Sequence, residues 1–420
     1  MPFPRIVPLV GCLAAFVLGC SAAGSQAPPA RVDGPVDDRA RAVLERDATR
    51  LVEFRRDLHR HPETSGNEAR TARAVSDELR RLGLTEIRSN VGGFGVVAIV
   101  RGRRPGPTIA YRADMDAVAS TAPDPVDFRS VNAGVRHICG HDIHTTIGVA
   151  LAGIFQSLRD SLVGNVMFVF QPAEERATGA NAMLAAGVFT ADRPAAVYGL
   201  HTAPYEAGLL GTTPGPMMGG RDRFTVSLTG SGDLSAATNL ALQALQQAGT
   251  VPPDLAFTNQ PIDFIAMSLA PPQVAAGQAT ITGTVTVAAS ASRARVQALV
   301  TTGLAALVPA GVSVSGTYQA KWIAGVTNDT GLTTRATAAI RARLGAETVR
   351  AVTGIVPAFS EDFGSFQGVV PGAFYFLGVS NSSRGWVGMP HAPEYVADEA
   401  AIAVGARAMA AVILDRLSTR

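Results

Sequence analysis

Cysteine is scarce in this chain: three residues in 420, at positions 12, 20 and 139. The first two fall in an N-terminal apolar stretch. Cys139 is then alone in the rest of the chain, which excludes an internal disulfide there. Lysine is scarcer still. Lys321 is the only one among 36 basic residues, a bias from which no function follows. Net charge is only +2 and no basic patch is interleaved with aromatics, which argues against a nucleic-acid partner. Hydrophobic residues make up 47% and charged residues 17%, which excludes a largely disordered chain. Histidine is sparse as well: seven in all, with none between His201 and His391.

Long hydrophobic runs are also missing. The longest N-terminal one, "IVPLVGCLAAFVLG", is too short for a confident spanning helix and reads as an export signal. It ends in "VLGCS", which resembles a bacterial lipobox and would make Cys20 the lipidated first mature residue. Cleavage after a small residue such as Ala23 is the alternative, and "LVGC" at 9–12 fits the lipobox locally but follows too short a run. Residues 21–40 are small, Pro-rich and polar, as a flexible tether should be. The expectation is export, to the periplasm or to a membrane anchored only through Cys20.

What is present is concentrated. "HICGHDIHTT" packs His137, Cys139, His141 and His144 into one short segment. A lone thiol in an oxidising compartment needs protection, and metal coordination supplies it. The competing reading, a buried inert cysteine, loses ground because a histidine stands two residues away.

Element patterns give the context. Amphipathic helices are expected over 41–61 and in "GNEARTARAVSDELRRLGL". Apolar strand-like runs follow: "FGVVAIVRG", "PTIAYRADMD", "GNVMFVFQPAEE" and "AAVYGLHT", alternating with helices. That pattern predicts an α/β domain with a largely parallel sheet covered by helices on both faces. Near residue 219 it changes to β-α-β-β-α-β, a ferredoxin-like α+β insert over 219–325. The first pattern then resumes. The domains are therefore expected as signal 1–20, tether 21–40, catalytic part 41–218, inserted lid 219–325 and catalytic part 326–420.

Carboxylates and histidines sit where those strands end: Asp114 and Asp116 in "YRADMDA", Glu174 and Glu175 in "QPAEE", His201 in "GLHT". His391 lies in the Pro-bounded loop "MPHAP". Ligands gather at the carboxyl ends of strands in open α/β sheets. Adjacent carboxylates there are costly unless a cation balances them. Thiolate and imidazole suit Zn, Co, Ni or Mn better than Mg or Ca. Cys139 and His141 can reach one cluster from one loop, and Glu175, His201 and His391 can complete it. Glu174 would lie beside the metals, where a general base belongs. Taken singly, "HRHP", "DMD" and "EE" are weak signals, and His59 and His61 read as structural.

The segments "RRDLHRHPETSGNE", "YRADMDAV", "HICGHDIHT", "FQPAEE", "GLHT", "PGPMM", "SEDF", "PGAFYFLGV" and "MPHAPEYVADEAAI" resemble, in order, the hippurate hydrolase and indole-acetyl-amino-acid amidohydrolase branch of the aminoacylase and carboxypeptidase metallopeptidases. The resemblance implies two divalent metal ions per subunit, with Cys139, His141, Glu175, His201 and His391 as ligands. It implies Glu174 as the base that activates water, with Asp116 as a carboxylate orienting a ligand. His144 and Asp142 match supporting positions. The implied substrates are small N-acyl amino acids or peptides, and the lid implies a homodimer. The lid also departs from the family. The stretch that should carry a histidine reads "GSGDLSAATN", and the family's "GTVR" reads "GTVT", placing Thr286 where Arg is expected. Asn239 or Arg293 could substitute. The alternative to an amidohydrolase is therefore a metal-binding lipoprotein that holds a related ligand without turnover.

Overall fold

The computed structural model describes residues 35–418. The expected signal, the Cys20 anchor and most of the tether lie outside them. No helix among the described residues is long and apolar enough to cross a membrane.

Numbered in chain order, the helices are α1 Pro35–Arg60, α2 Ala69–Arg81, α3 His141–Leu158, α4 Gly179–Ala185, α5 Leu234–Ala248, α6 Ser290–Thr301, α7 Thr330–Leu344, α8 Phe363–Gln367 and α9 Ala400–Leu417. The strands that build the two large sheets are β1 Glu86–Arg88, β2 Val96–Arg101, β3 Arg104–Asp114, β4 Val163–Gln171, β5 Ala196–Glu206, β6 Leu210–Thr212, β7 Gly220–Gly230, β8 Ile265–Leu269, β9 Gln273–Ala275, β10 Gln278–Val287, β11 Val312–Ile323, β12 Val349–Ala351 and β13 Gly372–Ser380.

The main sheet runs β1-β2-β4-β3-β5-β13-β6-β12. Its centre, β4-β3-β5-β13, is parallel. Strands β1 and β2 join one edge antiparallel, and β6 pairs antiparallel with β13 at the other. The edge strand β12 pairs parallel with β6, so the sheet is mixed, with parallel pairs in the majority as expected. The middle strands are apolar on both faces because both faces are covered. On one face Ile109, Phe168 and Tyr375 pack under α1, α3 and α9. On the other, Val169, Val197 and Phe374 pack with Met183 of α4 and Phe363 of α8. α3 is buried nearly all round, as a helix without a polar face must be.

The insert forms a separate antiparallel sheet, β8-β10-β7-β11, with β9 added beside β10. Taking β7, β8, β10 and β11 as strands one to four, the spatial order is 4-1-3-2, the ferredoxin-like arrangement. Its own core lies under α5 and α6, around Phe224, Val226, Leu245, Ile281 and Val296. Parallel strands β3, β4, β5 and β13 deliver their carboxyl ends to one rim of the main sheet. Asp114 of β3 stands beside Gln171 of β4, and His201 of β5 beside Phe376 of β13.

Candidate metal centre

The centre is built on that rim by four segments. The first links Cys139 to α3 through Gly140, which has φ 87°. A Cβ there would collide with Tyr395 Oη and lie 2.6 Å from Thr202 Oγ1. Only glycine lets Cys139 and His141 flank a turn packed this tightly. The Thr202 hydroxyl donates to Cys139 O at 2.6 Å and fixes the turn against β5.

The second turn, after β4, carries the two glutamates. Ala173 is left-handed at φ 53°, and its N–H donates to Glu68 Oε1 at 2.9 Å. The next amides donate to Asp116: Glu174 N to Oδ1 at 3.1 Å, and Glu175 N to Oδ2 at 3.0 Å. Ser65 Oγ donates to the same carboxylate at 2.6 Å. Asp116 is fully buried and so clamps the "EE" turn. Its Oδ1 also lies 3.4 Å from His141 Nδ1.

The third segment is strand β5 itself, which carries His201, and the fourth is the loop at His391. That residue is left-handed at φ 65°, and its amide donates to Ile138 O at 2.8 Å. The loop is thereby tied to the segment that holds Cys139.

These segments bring all five expected ligand side chains together. Cys139 Sγ is 3.2 Å from His201 Nε2. His391 Nε2 is 3.2 Å from Glu175 Oε1, and His141 Nε2 is 3.7 Å from the same oxygen. Glu174 Oε2 is 3.8 Å from His141 Nε2. Neither nitrogen of His141 makes a hydrogen bond, and neither does Glu175 Oε1, although all three atoms are buried. Buried polar atoms are seldom left so. Atoms of Cys139, Glu175 and His391 lie close enough to hold one ion, as do those of His141, Glu174 and Glu175, and those of Asp114, His141, His144 and His201.

Hydrogen bonding distinguishes the expected ligands from their neighbours. His144 Nε2 accepts the Thr202 amide at 2.8 Å, so its Nδ1–H donates to Asp114 Oδ1 at 2.5 Å. Both nitrogens are committed, which makes His144 a brace. His201 Nδ1–H donates to the Thr202 carbonyl at 2.8 Å. That fixes its tautomer and leaves Nε2 as the free donor atom toward Cys139. Asp142 lies deeper, between Arg55 and His59. His59 reaches Asp124 with its other nitrogen. This is a structural network. His61 bonds Asp57 O at the end of α1.

The electrostatics fit a cation. Burial opposes a charge on His141, yet Asp114, Asp116 and Glu175 raise its pKa to about 10. The surroundings are negative enough to retain a proton where a metal would sit. Burial also opposes charge on Glu175, but His391, His141 and Cys139 hold it down at about 2. Burial, then the charges of Glu361 and Glu175, push Glu174 well above the usual carboxylate range. Burial lowers His144 and His201 to about 4, so both imidazoles are neutral.

A buried acid pair, Glu361 and Asp362, completes the surroundings, and the motif "SEDF" gave it no assigned role. Arg112 is fully buried and donates to Asp114 Oδ2 at 2.8 Å and Glu361 Oε1 at 2.9 Å. It also reaches Asp362 Oδ1 at 3.2 Å, which Gln171 Nε2 bonds at 2.7 Å. Burial, eased by Arg112, still leaves Asp362 raised to about 7. Glu361, Asp362 and Glu174 converge on one point. Of the two residues offered as lid substitutes, Arg293 pairs with Asp222, its Nε donating to Oδ2 at 2.7 Å. Asn239 is exposed on α5.

Comparison with known proteins agrees with this geometry. A family model described as peptidase family M20/M25/M40 matches residues 110–415. The N-acetylcysteine deacetylase of Bacillus subtilis is 36% identical over 209 residues, 48% of this chain and 53% of that protein. The Synechocystis protein sll0100 is 32% identical over 375 residues, 85% of this chain and 93% of its own. Apart from such longer matches, the chain spans about half the length of the curated relatives it first matches. A solved dinuclear metal-binding peptidase of the M20 family from Bacillus subtilis superposes with a TM-score of 0.76 at 30% identity, over 90% of this chain and 100% of that one. With the matched segment running through both halves of the main sheet and the whole insert, this chain belongs to peptidase family M20/M25/M40.

Proposed function

We propose that the protein is a metal-dependent amidohydrolase that cleaves the amide bond of N-acyl amino acids or small peptides. The observation that carries this is the convergence of Cys139, His141, Glu175, His201 and His391 around buried atoms without hydrogen bonds, with Glu174 at their edge. The five side chains are the proposed ligands of two divalent ions, Zn, Mn, Co or Ni. Bound there, the ions would polarise the scissile carbonyl and acidify water. Glu174, 7% exposed, takes the proton from the attacking water and passes it to the nitrogen of the leaving amine. Asp116 fixes the turn that aims Glu174 and Glu175. His144 and Asp114 brace His201 and His141.

The relatives' names support an amide substrate, with deacetylase and carboxypeptidase both among them. The order of motifs favours the hippurate hydrolase and indole-acetyl-amino-acid amidohydrolase branch. A homodimer through the insert, and export with a lipid on Cys20, complete the proposal; Cys20 lies outside the described residues. A second reading, metal binding without turnover, is favoured by one feature: the insert holds no histidine to meet the substrate carbonyl.

The experiment is hydrolysis of an N-acyl amino acid panel by protein loaded with Zn, Mn or Co, beside Glu174→Gln. Turnover that disappears in the variant supports the amidohydrolase. Metal uptake with no turnover on any member supports the second reading.

A further inference from the structure

The main domain is electrically lopsided. Carboxylates crowd the rim that carries the metal centre: Asp114 and Asp116 after β3, Glu174 and Glu175 after β4, and Glu361 and Asp362 beside them. The opposite end, where the parallel strands begin, is basic. Arg103 and Arg104 lie at the entry to β3, Arg159 at the end of α3, and Arg193 shortly before β5; all four are exposed. Main-chain bonds gather the first three. The Arg103 amide donates to Arg159 O at 3.1 Å and the Arg104 amide to Leu162 O at 3.2 Å, while Arg104 Nη2 donates to Ser161 O at 2.8 Å. Arg193 joins that end because the Ala195 amide donates to Thr108 O of β3 at 2.8 Å. Its Nη2 donates to Val369 O at 2.6 Å. No described carboxylate pairs with any of the four. The acids at this end are engaged elsewhere: Glu86 and Asp192 with Arg101, and Asp415 with Arg335.

Helix α1 begins at the same end. Its later half meets the start of α3, with Arg55 Nε 2.9 Å from Asp142 Oδ2. Its earlier half lies against the far part of α3, where a Cβ on Gly153 would stand 3.7 Å from Val43 Cγ1. The two helices are therefore antiparallel. Continuing their register sets the exposed Arg39 level with Ser157, and Pro35 level with Ser161. α3 runs 18 residues from His141 at the metal centre to Leu158, a span of about 27 Å. The arginines are thus a helix length from the site, and the chain leading back to Cys20 departs from among them. Pro35 is fifteen residues on from Cys20, which keeps it within about 50 Å of that residue even along a straight chain.

We propose that this arginine-bearing end docks electrostatically on an anionic phospholipid bilayer and holds the metal centre facing away from it. Two independent observations choose a bilayer: guanidinium groups left without carboxylate partners, and the departure of the Cys20 segment from the same end. The inference rests on the export and lipid-anchor reading. A negative bilayer attracts basic side chains within a Debye length of its surface, so the attraction falls with salt. The same surface repels the carboxylate-lined rim, and both effects favour one orientation.

The test is co-sedimentation of the metal-loaded chain from Ser21 onward, which carries no lipid, with vesicles of phosphatidylcholine alone or mixed with phosphatidylglycerol. It is repeated with Arg103→Gln, Arg104→Gln and Arg159→Gln together. A second triple variant, Arg295→Gln, Arg350→Gln and Arg384→Gln, makes the same change in net charge at exposed positions elsewhere. The expected result is binding to the mixed vesicles that is lost at high salt. The partition coefficient should fall about 10- to 100-fold in the first variant and stay close to the parent's in the second. The inference is overturned if the parent does not sediment with the mixed vesicles, if it binds phosphatidylcholine equally well, if the first variant binds like the parent, or if both variants weaken alike. Retention of the parent on immobilised RNA without binding to mixed vesicles would overturn it in favour of a different polyanion. Failure of the anchor reading looks different: vesicle binding and its loss in the first variant persist, but labelled fatty acid is absent from Cys20 in cells.

Discussion

Replacing Asp116 with asparagine tests how the carboxylate turn is held. The substitution keeps the shape and removes one charge. In the native structure the carboxylate accepts the amides of Glu174 and Glu175 at 3.1 and 3.0 Å and the Ser65 hydroxyl at 2.6 Å. Each carboxylate oxygen faces a backbone N–H. An asparagine NH2 must therefore point at one of them, whichever way the amide is turned. One buried donor loses its partner, at about 1–3 kcal/mol. The bonds that remain lose their charge assistance. Asp116 also faces His141 Nδ1, so the perturbation reaches the proposed ligands. Loss of such a supporting contact typically weakens metal binding ~10- to 100-fold. Urea unfolding of the metal-free protein should show Asp116→Asn about 2 kcal/mol less stable. Competition with a chelator should show the weaker metal affinity. The reasoning is refuted if both quantities match the unmutated protein. Lost stability with unchanged metal affinity would reduce Asp116 to a folding role.

Two further outcomes follow from buried groups beside the site. His137 is buried with neither ring nitrogen hydrogen-bonded, and burial lowers its pKa from 6.5 to about 4. Because the folded pKa is depressed, its stability contribution is complete above pH about 6.5 and is lost as pH falls through about 4. The loss is on the order of 3 kcal/mol. Unfolding of His137→Leu across that range should fall less steeply than that of the parent, and parallel curves would contradict the assignment. Gly140→Ala should cost about 1–2 kcal/mol for the left-handed backbone and about 1–3 kcal/mol for crowding Thr202 and Tyr395. Calorimetry that shows an unchanged melting temperature would contradict the packing described.

The parallel centre of the main sheet was legible because strands buried on both faces are written as unbroken apolar runs. The short strands β6 and β12 and the helix α8 were not, because segments of three to five residues are too short to show a period. The proposed ligand set was suggested because cysteine and histidine are rare here and gather in motifs. The roles within it were not. His144 sits in the same motif as His141 and differs only in having both nitrogens engaged by Asp114 and Thr202. Glu361 and Asp362 read as an ordinary acidic pair until the fold set them against Arg112, 249 residues from Glu361 in the chain. The lid departures at "GSGDLSAATN" and Thr286 were visible in sequence; the pairing of Arg293 Nε with Asp222 was not.

The central claim is that five side chains from distant parts of the chain hold a pair of cations. Elemental analysis by mass spectrometry, after metal loading and gel filtration, tests it most directly. The account predicts two divalent ions per chain in the parent and in Glu174→Gln, with fewer when Cys139 is replaced by serine and His201 by alanine together. A parent that retains none, or a double variant that still retains both, would contradict it.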